Sequence, residues 1–241
     1  MKPLITLATA RTPGGAELTL HSKDTHFFLR VNREPLMATN APESEKVMAQ
    51  LACENLRERT GVRILIGGLG FGFTLQRTLE LIGPDATVQV AELLPEVVAW
   101  NREFLGHLNG PLLDDPRVHI TIGDVFTLIA KARPAAYDAV LLDVDNGPSP
   151  MVQKDNARLY NARGLAAILR ILKPGGRVTF WSASPDRAFA ERLSKAGFAV
   201  QEVPAKAYEQ AKRHAHTIFV ADAPEAPAQE ESSQEIPRSS S

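Results

Sequence analysis

The chain has a single cysteine, Cys53, in 241 residues. One thiol excludes an intramolecular disulfide and any cysteine-cluster metal site, and a buried helical position suits it best. Neither sign of charge is in surplus. There are 27 Lys and Arg against 28 Asp and Glu, a formal net charge of -1, so no nucleic-acid partner or other polyanion is expected. Long hydrophobic runs are missing too. The opening Met1-Lys2-Pro3-Leu4-Ile5 is too short an apolar stretch for a signal peptide, and no segment reaches membrane-spanning length, so a cytoplasmic protein with no membrane partner is the expectation. Internal repeats of about twenty to fifty residues are also lacking, which removes solenoids and propellers.

What is present fits one substantial core. Leu4 to Ala8, Ala16 to His21 and His26 to Val31 alternate or run apolar, broken by Pro13-Gly14-Gly15 and Ser22-Lys23-Asp24, and predict a small amino-terminal antiparallel sheet within residues 1–42. Pro42-Glu43-Ser44-Glu45 opens a helix in which Val47, Met48, Leu51, Ala52 and Leu56 recur at helical spacing. From there to residue 221, strands near Ile64, Val88, His119, Val140, Val178, Val200 and Ile218 alternate with helices. That order predicts an α/β fold built on a doubly wound, mostly parallel sheet. The link between the last two strands is poor in helix, so the final strand is expected to be antiparallel. Residues 222–241 carry proline, serine and acid with almost no apolar content and predict a disordered tail.

The chemistry concentrates where strands end, because ligands of such sheets bind at the carboxyl ends of the strands. After Ile64-Leu65-Ile66 come Gly67, Gly68, Gly70 and Gly72, which let the backbone turn tightly and approach a nucleotide-like ligand. The next strand ends in Glu92, a carboxylate suited to a ribose diol, or else an acid favouring the helix that starts at Pro95. Gly123-Asp124-Val125 follows the third strand. There Asp124 accepts from an adenine amino group or caps the next helix. Asp143 and Asp145 end the apolar strand Ala139-Val140-Leu141-Leu142 and call for a cationic partner such as a sulfonium or an amine; an Asx turn in that loop is the alternative. Tyr160 either leans over the same crevice or packs in the core. His214 and His216 lack a third metal ligand, and Ser182 and Ser184 lack a G-x-S-x-G elbow, so neither a metal site nor a serine hydrolase is expected.

Several of these stretches together resemble the spermidine synthase family, the polyamine aminopropyltransferases, within the Rossmann-like enzymes that bind S-adenosylmethionine. They are I-G-G-L-G-F-G at 66–72, V-A-E-L-L-P-E-V-V at 90–98, D-P-R-V-H-I-T-I-G-D-V at 115–125, Y-D-A-V-L-L-D-V-D-N-G-P at 137–148 and L-K-P-G-G-R-V at 172–178. The likeness runs from about Glu34 to Ala221, and the small amino-terminal sheet resembles the family's extra domain. It implies a Rossmann-like domain over residues 43–221 that binds S-adenosylmethionine or its decarboxylated form as group donor, without a metal. Glu92 would hold the ribose, Asp124 with Val125 the adenine, and the glycine turn the nucleoside. Asp143, then Asp145 and Tyr160, would serve the attacking amine, a small molecule in polyamine biosynthesis. A homodimer is a further implication.

The departures point the other way. The family's glycine motif usually carries an aspartate for the donor's amino group where Gly70 stands. Its Tyr-His-Glu appears as Glu43-Ser44-Glu45, and Val144, Asp145 and Asn146 replace the paired serines and second acid of its catalytic loop. Methyl transfer from S-adenosylmethionine to a small acceptor is therefore the second expectation, and a nucleoside-binding protein without catalysis the third.

Overall fold

In the computed structural model, residues 3–109, 111–144 and 154–226 are described. Four strands, β1 (Ile5–Arg11), β2 (Glu17–Lys23), β3 (His26–Val31) and β4 (Glu34–Ala38), form an antiparallel sheet in sequence order. Period-two alternation explains its inner face: Leu18 and Leu20 of β2 and Phe27, Leu29 and Val31 of β3 are buried. The fourth strand is an addition to the three expected. Its hairpin turns through Asn32 and Arg33 at φ 47° and 72°, the double left-handed geometry of a two-residue hairpin. Pro35 is tolerated because β4 is an edge strand.

Helix α1 (Glu43–Cys53) leads into the main sheet and buries Met48, Ala49, Ala52 and Cys53. Burial pushes the Cys53 thiol up to about 12, which leaves it an inert packing group. The remaining elements are β5 (Arg63–Gly67), α2 (Phe73–Leu81), β6 (Thr87–Glu92), α3 (Pro95–Glu103), α4 (Gly106–Asn109), β7 (Val118–Ile122), α5 (Val125–Lys131), β8 (Tyr137–Leu142), α6 (Ala162–Ile171), β9 (Leu172–Ser182), α7 (Arg187–Lys195), β10 (Ala199–Ala205) and β11 (His216–Asp222).

These strands order as β10-β11-β9-β8-β5-β6-β7. β5 pairs parallel with both β6 and β8, so the winding reverses there and a crevice opens at the carboxyl ends. The final strand is antiparallel, as expected, and slots between β9 and β10 rather than at the edge. Residues 222–226, expected to belong to a disordered tail, are placed against the sheet. Asp222 closes β11, Ala223 donates to the Gly176 carbonyl at 2.8 Å, and Pro224 accepts from the Gly175 amide at 3.0 Å. Residues 227–241 lie outside the described residues. Leu18, Leu20 and Leu29 of the small sheet share one core cluster with Met48 of α1 and Ile64 and Ile66 of β5, so the small sheet is packed directly onto the main one. Among the described residues, no helix is long and apolar enough to cross a membrane.

Asp138 anchors the end of the sheet remote from the crevice. Its Oδ2 accepts from the Arg63 backbone amide at 2.8 Å and from Lys173 Nζ at 2.7 Å, tying β8 to β5 and β9. Asp138→Ala leaves that amide unanswered, so a loss of about 1–3 kcal/mol in urea unfolding is expected, with nucleoside affinity of the folded protein unchanged.

Candidate active site

A cavity of about 310 Å³ occupies the crevice between the carboxyl ends of the main sheet and the inner side of the small one. Gly68, Gly70, Glu92, Asp124, Val125 and Asp143 all line it, so four strand ends meet there. Gly67 and Gly72 do not. A Cβ on Gly67 would press on Leu142 and Val125 at 2.9–3.0 Å, and one on Gly72 on Leu112 and Asn109 at 3.0–3.2 Å. Those two glycines serve packing.

Gly68 and Gly70 are true turn residues. Gly68 has φ +91°, and a Cβ there would strike the Asp143 carbonyl. The turn and the loop after β8 are therefore pressed together, and the Asp143 amide donates to the Gly67 carbonyl at 3.0 Å. Gly70, at φ +51°, lies under Met37 of β4, whose Cε and Sδ would meet a Cβ at 2.8 and 3.1 Å. The Gly70 carbonyl accepts from Asn101 Nδ2 at 2.8 Å, and the Phe71 carbonyl from Asn109 Nδ2 at 2.9 Å. Both asparagines sit on helices that sequence reasoning assigned no part in the site.

Glu92 is buried at 7% exposure, at the entry to α3 and on the cavity wall at once. Its Oε2 accepts from the Leu69 amide and its Oε1 from the Leu94 amide, each at 2.9 Å. The Leu93 and Gly70 amides also bear on it, so the carboxylate is held by backbone donors on both sides while it lines the cavity. Desolvation raises its pKa, and the backbone donors from Leu94 and Leu69 pull back against that rise.

Asp124 caps α5, accepting from the Phe126 amide at 3.0 Å and from Thr127 Oγ1 at 3.2 Å, and pairs with Arg158 Nη2 at 2.6 Å. The cap is thus made while the residue still lines the cavity. Arg158 also lies over the Phe126 ring at 4.8 Å, binding the segment before α6 to α5. Of the two alternatives for Tyr160, the structure has the core one: it is buried at 4% exposure against Phe180 and Phe189 and is not among the residues lining the cavity, where the family resemblance would put it beside the amine. Asp145 falls outside the described residues.

Apart from Trp181, which stands at the carboxyl end of β9, the rest of the wall lies away from the strand ends that the sequence singled out. Leu18, Leu29, Leu36 and Met37 come from the small sheet, Ser44 and Glu45 from α1, and Trp181 and His216 from β9 and β11. Desolvation raises the Glu45 pKa, against a 2.6 Å hydrogen bond from Ser44 Oγ. It lowers that of His216. Among the described residues, no group of three or more His, Cys, Asp and Glu stands together as a metal site would require.

The Glu92 shift has a stability consequence. A raised folded pKa means the native state holds the proton more tightly than the unfolded chain, so its contribution is most favourable below the ordinary carboxylate value and is lost as pH rises through the raised one. Urea titrations from pH 4 to pH 8 are expected to show that loss in the wild type and a flatter profile in Glu92→Gln.

Comparison with known proteins agrees with this geometry. The model of the spermine/spermidine synthase domain matches residues 45–191. A polyamine aminopropyltransferase of Mycobacterium tuberculosis (strain ATCC 25618 / H37Rv) is 35% identical over 124 residues, covering 51% of this chain and 23% of the relative. Putrescine N-methyltransferase 1 of Nicotiana tabacum is 31% identical over 116 residues, covering 48% and 28%. Among solved structures, a spermidine synthase in complex with the transition-state analogue AdoDATO superposes with TM-score 0.74 at 15% identity, covering 90% of this chain and 73% of that one, a likeness of fold. The chain therefore spans about a quarter of the length of those two curated relatives. With its Rossmann-like α/β sheet, small antiparallel sheet and glycine turn, the chain belongs to the spermine/spermidine synthase domain family.

Proposed function

We propose that the protein is a spermidine synthase-like transferase that binds an adenosyl-sulfonium donor and passes an alkyl group, aminopropyl on this reading, to a small amine. The observation that carries it is the alignment of Asp124, Glu92, the Gly68–Gly70 turn and Asp143 along four adjacent strand ends of one cavity. Gly68 lets the turn close on the loop after β8 while it borders the cavity, since a Cβ there would strike the Asp143 carbonyl. Glu92 is the carboxylate that accepts from the ribose, and Asp124 with Val125 borders the adenine. The donor supplies an activated carbon beside a cationic sulfur, so the protein's contribution is mostly positioning. The amine nitrogen bonds to that carbon, the carbon–sulfur bond breaks, and its electron pair stays on sulfur as a neutral thioether. Asp143 takes the proton that the new ammonium gives up.

Methyl transfer is the second reading, and one contact favours it. Met37 covers Gly70 with an apolar surface, where an ammonium-bearing arm would need a carboxylate. A relative named putrescine N-methyltransferase 1, 31% identical over 116 residues, supports keeping this reading.

Calorimetry with decarboxylated and intact S-adenosylmethionine separates the two. Tighter binding of the decarboxylated donor is expected, and a clear preference for the intact one would sink the aminopropyl reading. Asp143→Asn should keep nucleoside affinity while lowering turnover at least ~100-fold, the lower scale of general-base loss; unchanged turnover would make Asp143 structural. Glu92→Ala should weaken the nucleoside instead, and unaltered affinity removes it from the ribose role.

A further inference from the structure

A separate pocket of about 230 Å³ opens at the other end of the main sheet. Arg63, Thr87 and Tyr137 stand at the amino-terminal ends of β5, β6 and β8, and Gln89 and His119 lie beside them on β6 and β7. The strand register explains the grouping. Arg63 pairs with Thr87, Leu65 with Gln89 and Gln89 with His119, so these side chains share one face of the sheet. Helix α5 covers the carboxyl half of that face, where its Val125 and Ile129 cluster with Leu65 and Ala91. A seven-residue helix is only about 10 Å long, so its cover ends before the strands do.

Both faces of a parallel sheet are ordinarily covered and apolar, yet the part left open here is polar. The Tyr137 hydroxyl donates to Gln89 Oε1 at 2.7 Å and Gln89 Nε2 donates to Thr121 Oγ1 at 3.2 Å, which makes a hydrogen-bonded floor. Burial pushes the Tyr137 phenol up and the Arg63 guanidinium pulls it back, so that charge stands close to the floor. Among the described residues, the Arg63 guanidinium, the Thr87 hydroxyl and the His119 ring have no hydrogen-bond or ion-pair partner, and no Asp or Glu lines the pocket. Asp138 engages only the Arg63 backbone amide, and its charge is answered by Lys173 at 2.7 Å.

We propose that this pocket binds a small oxyanion, a carboxylate or a phosphate, with Arg63 as its charged anchor and Thr87 and His119 as further donors. A guanidinium presents paired N–H groups that match two oxygens of such an ion, and the hydroxyl beside it adds a third donor. A cationic ligand finds no carboxylate in this wall. The crevice has the opposite character, since its strand ends carry Glu92, Asp124 and Asp143. The two sites lie at opposite ends of the same strands, so the oxyanion is neither donor nor acceptor of the transfer reading, and its binding does not depend on that reading.

The test follows the His119 ring resonance of the labelled full chain by NMR, assigned as the signal missing from His119→Gln, while inorganic phosphate or malonate replaces chloride at constant ionic strength. A saturable shift is expected for at least one of the two anions, with a half-point below ~10 mM. Saturation by malonate alone makes the ligand a carboxylate, and saturation by phosphate alone makes it a phosphate. Arg63→Gln removes the guanidinium and keeps the backbone amide that Asp138 holds, so it should fold and raise the half-point at least ~10-fold. Arg213→Gln, at an exposed arginine between β10 and β11, should leave it unchanged. A shift that stays linear with both anions, or a half-point equal in Arg63→Gln and the wild type, overturns the proposal. So does an equal weakening in Arg213→Gln, which marks a general effect of charge.

Discussion

The crevice depends on one buried carboxylate. Glu92 accepts from the backbone of the turn after β5 through Leu69, and from the backbone entering α3 through Leu94. Two chain segments that would otherwise end in unanswered amides are thereby joined at the point where the winding reverses. Burying an acid there is expensive, and the direction of its shift records that cost. The backbone donors offset part of it. Around this joint, Asn101 and Asn109 hold the carbonyls of Gly70 and Phe71 from below, and the Asp143 amide holds the Gly67 carbonyl from the side. The turn is therefore rigid before any ligand arrives, which is the condition for positioning to contribute to rate.

A floor of carboxylates under an apolar roof has its own electrostatic logic. Glu92, Asp124 and Asp143 lie along the strand ends, whereas Leu18, Leu29, Leu36 and Met37 close the cavity from the small sheet. The roof lowers the local dielectric and strengthens the attraction of the floor for a cation. It also makes a dianionic or polyanionic ligand unfavourable. Within this floor Asp124 is paired with Arg158 at 2.6 Å, and Glu92 is held by backbone amides.

Much of the fold was legible because burial on both faces leaves a strong mark: β5 and β8 read as continuous apolar runs, and all seven main strands lie where the pattern puts them. β4 escaped because its turn is Asn32-Arg33, without the glycine that usually announces a two-residue hairpin, and because Pro35 interrupts it. The insertion of β11 between β9 and β10 is a tertiary choice that periodicity does not encode. In the site, strand-end logic located Gly68, Gly70, Glu92, Asp124 and Asp143, since position after a strand is a sequence property. Met37, Ser44 and His216 reach the cavity by packing between separate elements, and nothing local marks them, whereas Trp181 at the carboxyl end of β9 lay within reach of the same logic. Tyr160 shows the converse, for its position before α6 is the same whether the ring turns to the cavity or, as it does, to Phe180 and Phe189.

Met37 over Gly70 is the contact on which specificity turns. Gly70 has a left-handed backbone that a side chain adopts at a cost, and the space beside it is filled by the far end of a flexible methionine. Methionine adapts its shape cheaply, so the contact yields to a ligand of the right size without rebuilding the wall. What it does not supply is charge. On the reading proposed above, recognition of the donor's sulfur-borne arm would fall to groups farther along the cavity, while the carboxylates fixed in the strand ends would hold the adenosyl part. Selectivity for the nucleoside and for the transferred group would then be carried by different layers of the molecule, the main sheet and the small one. A change in β4 alters the second without disturbing the hydrogen bonds of Glu92 that secure the first.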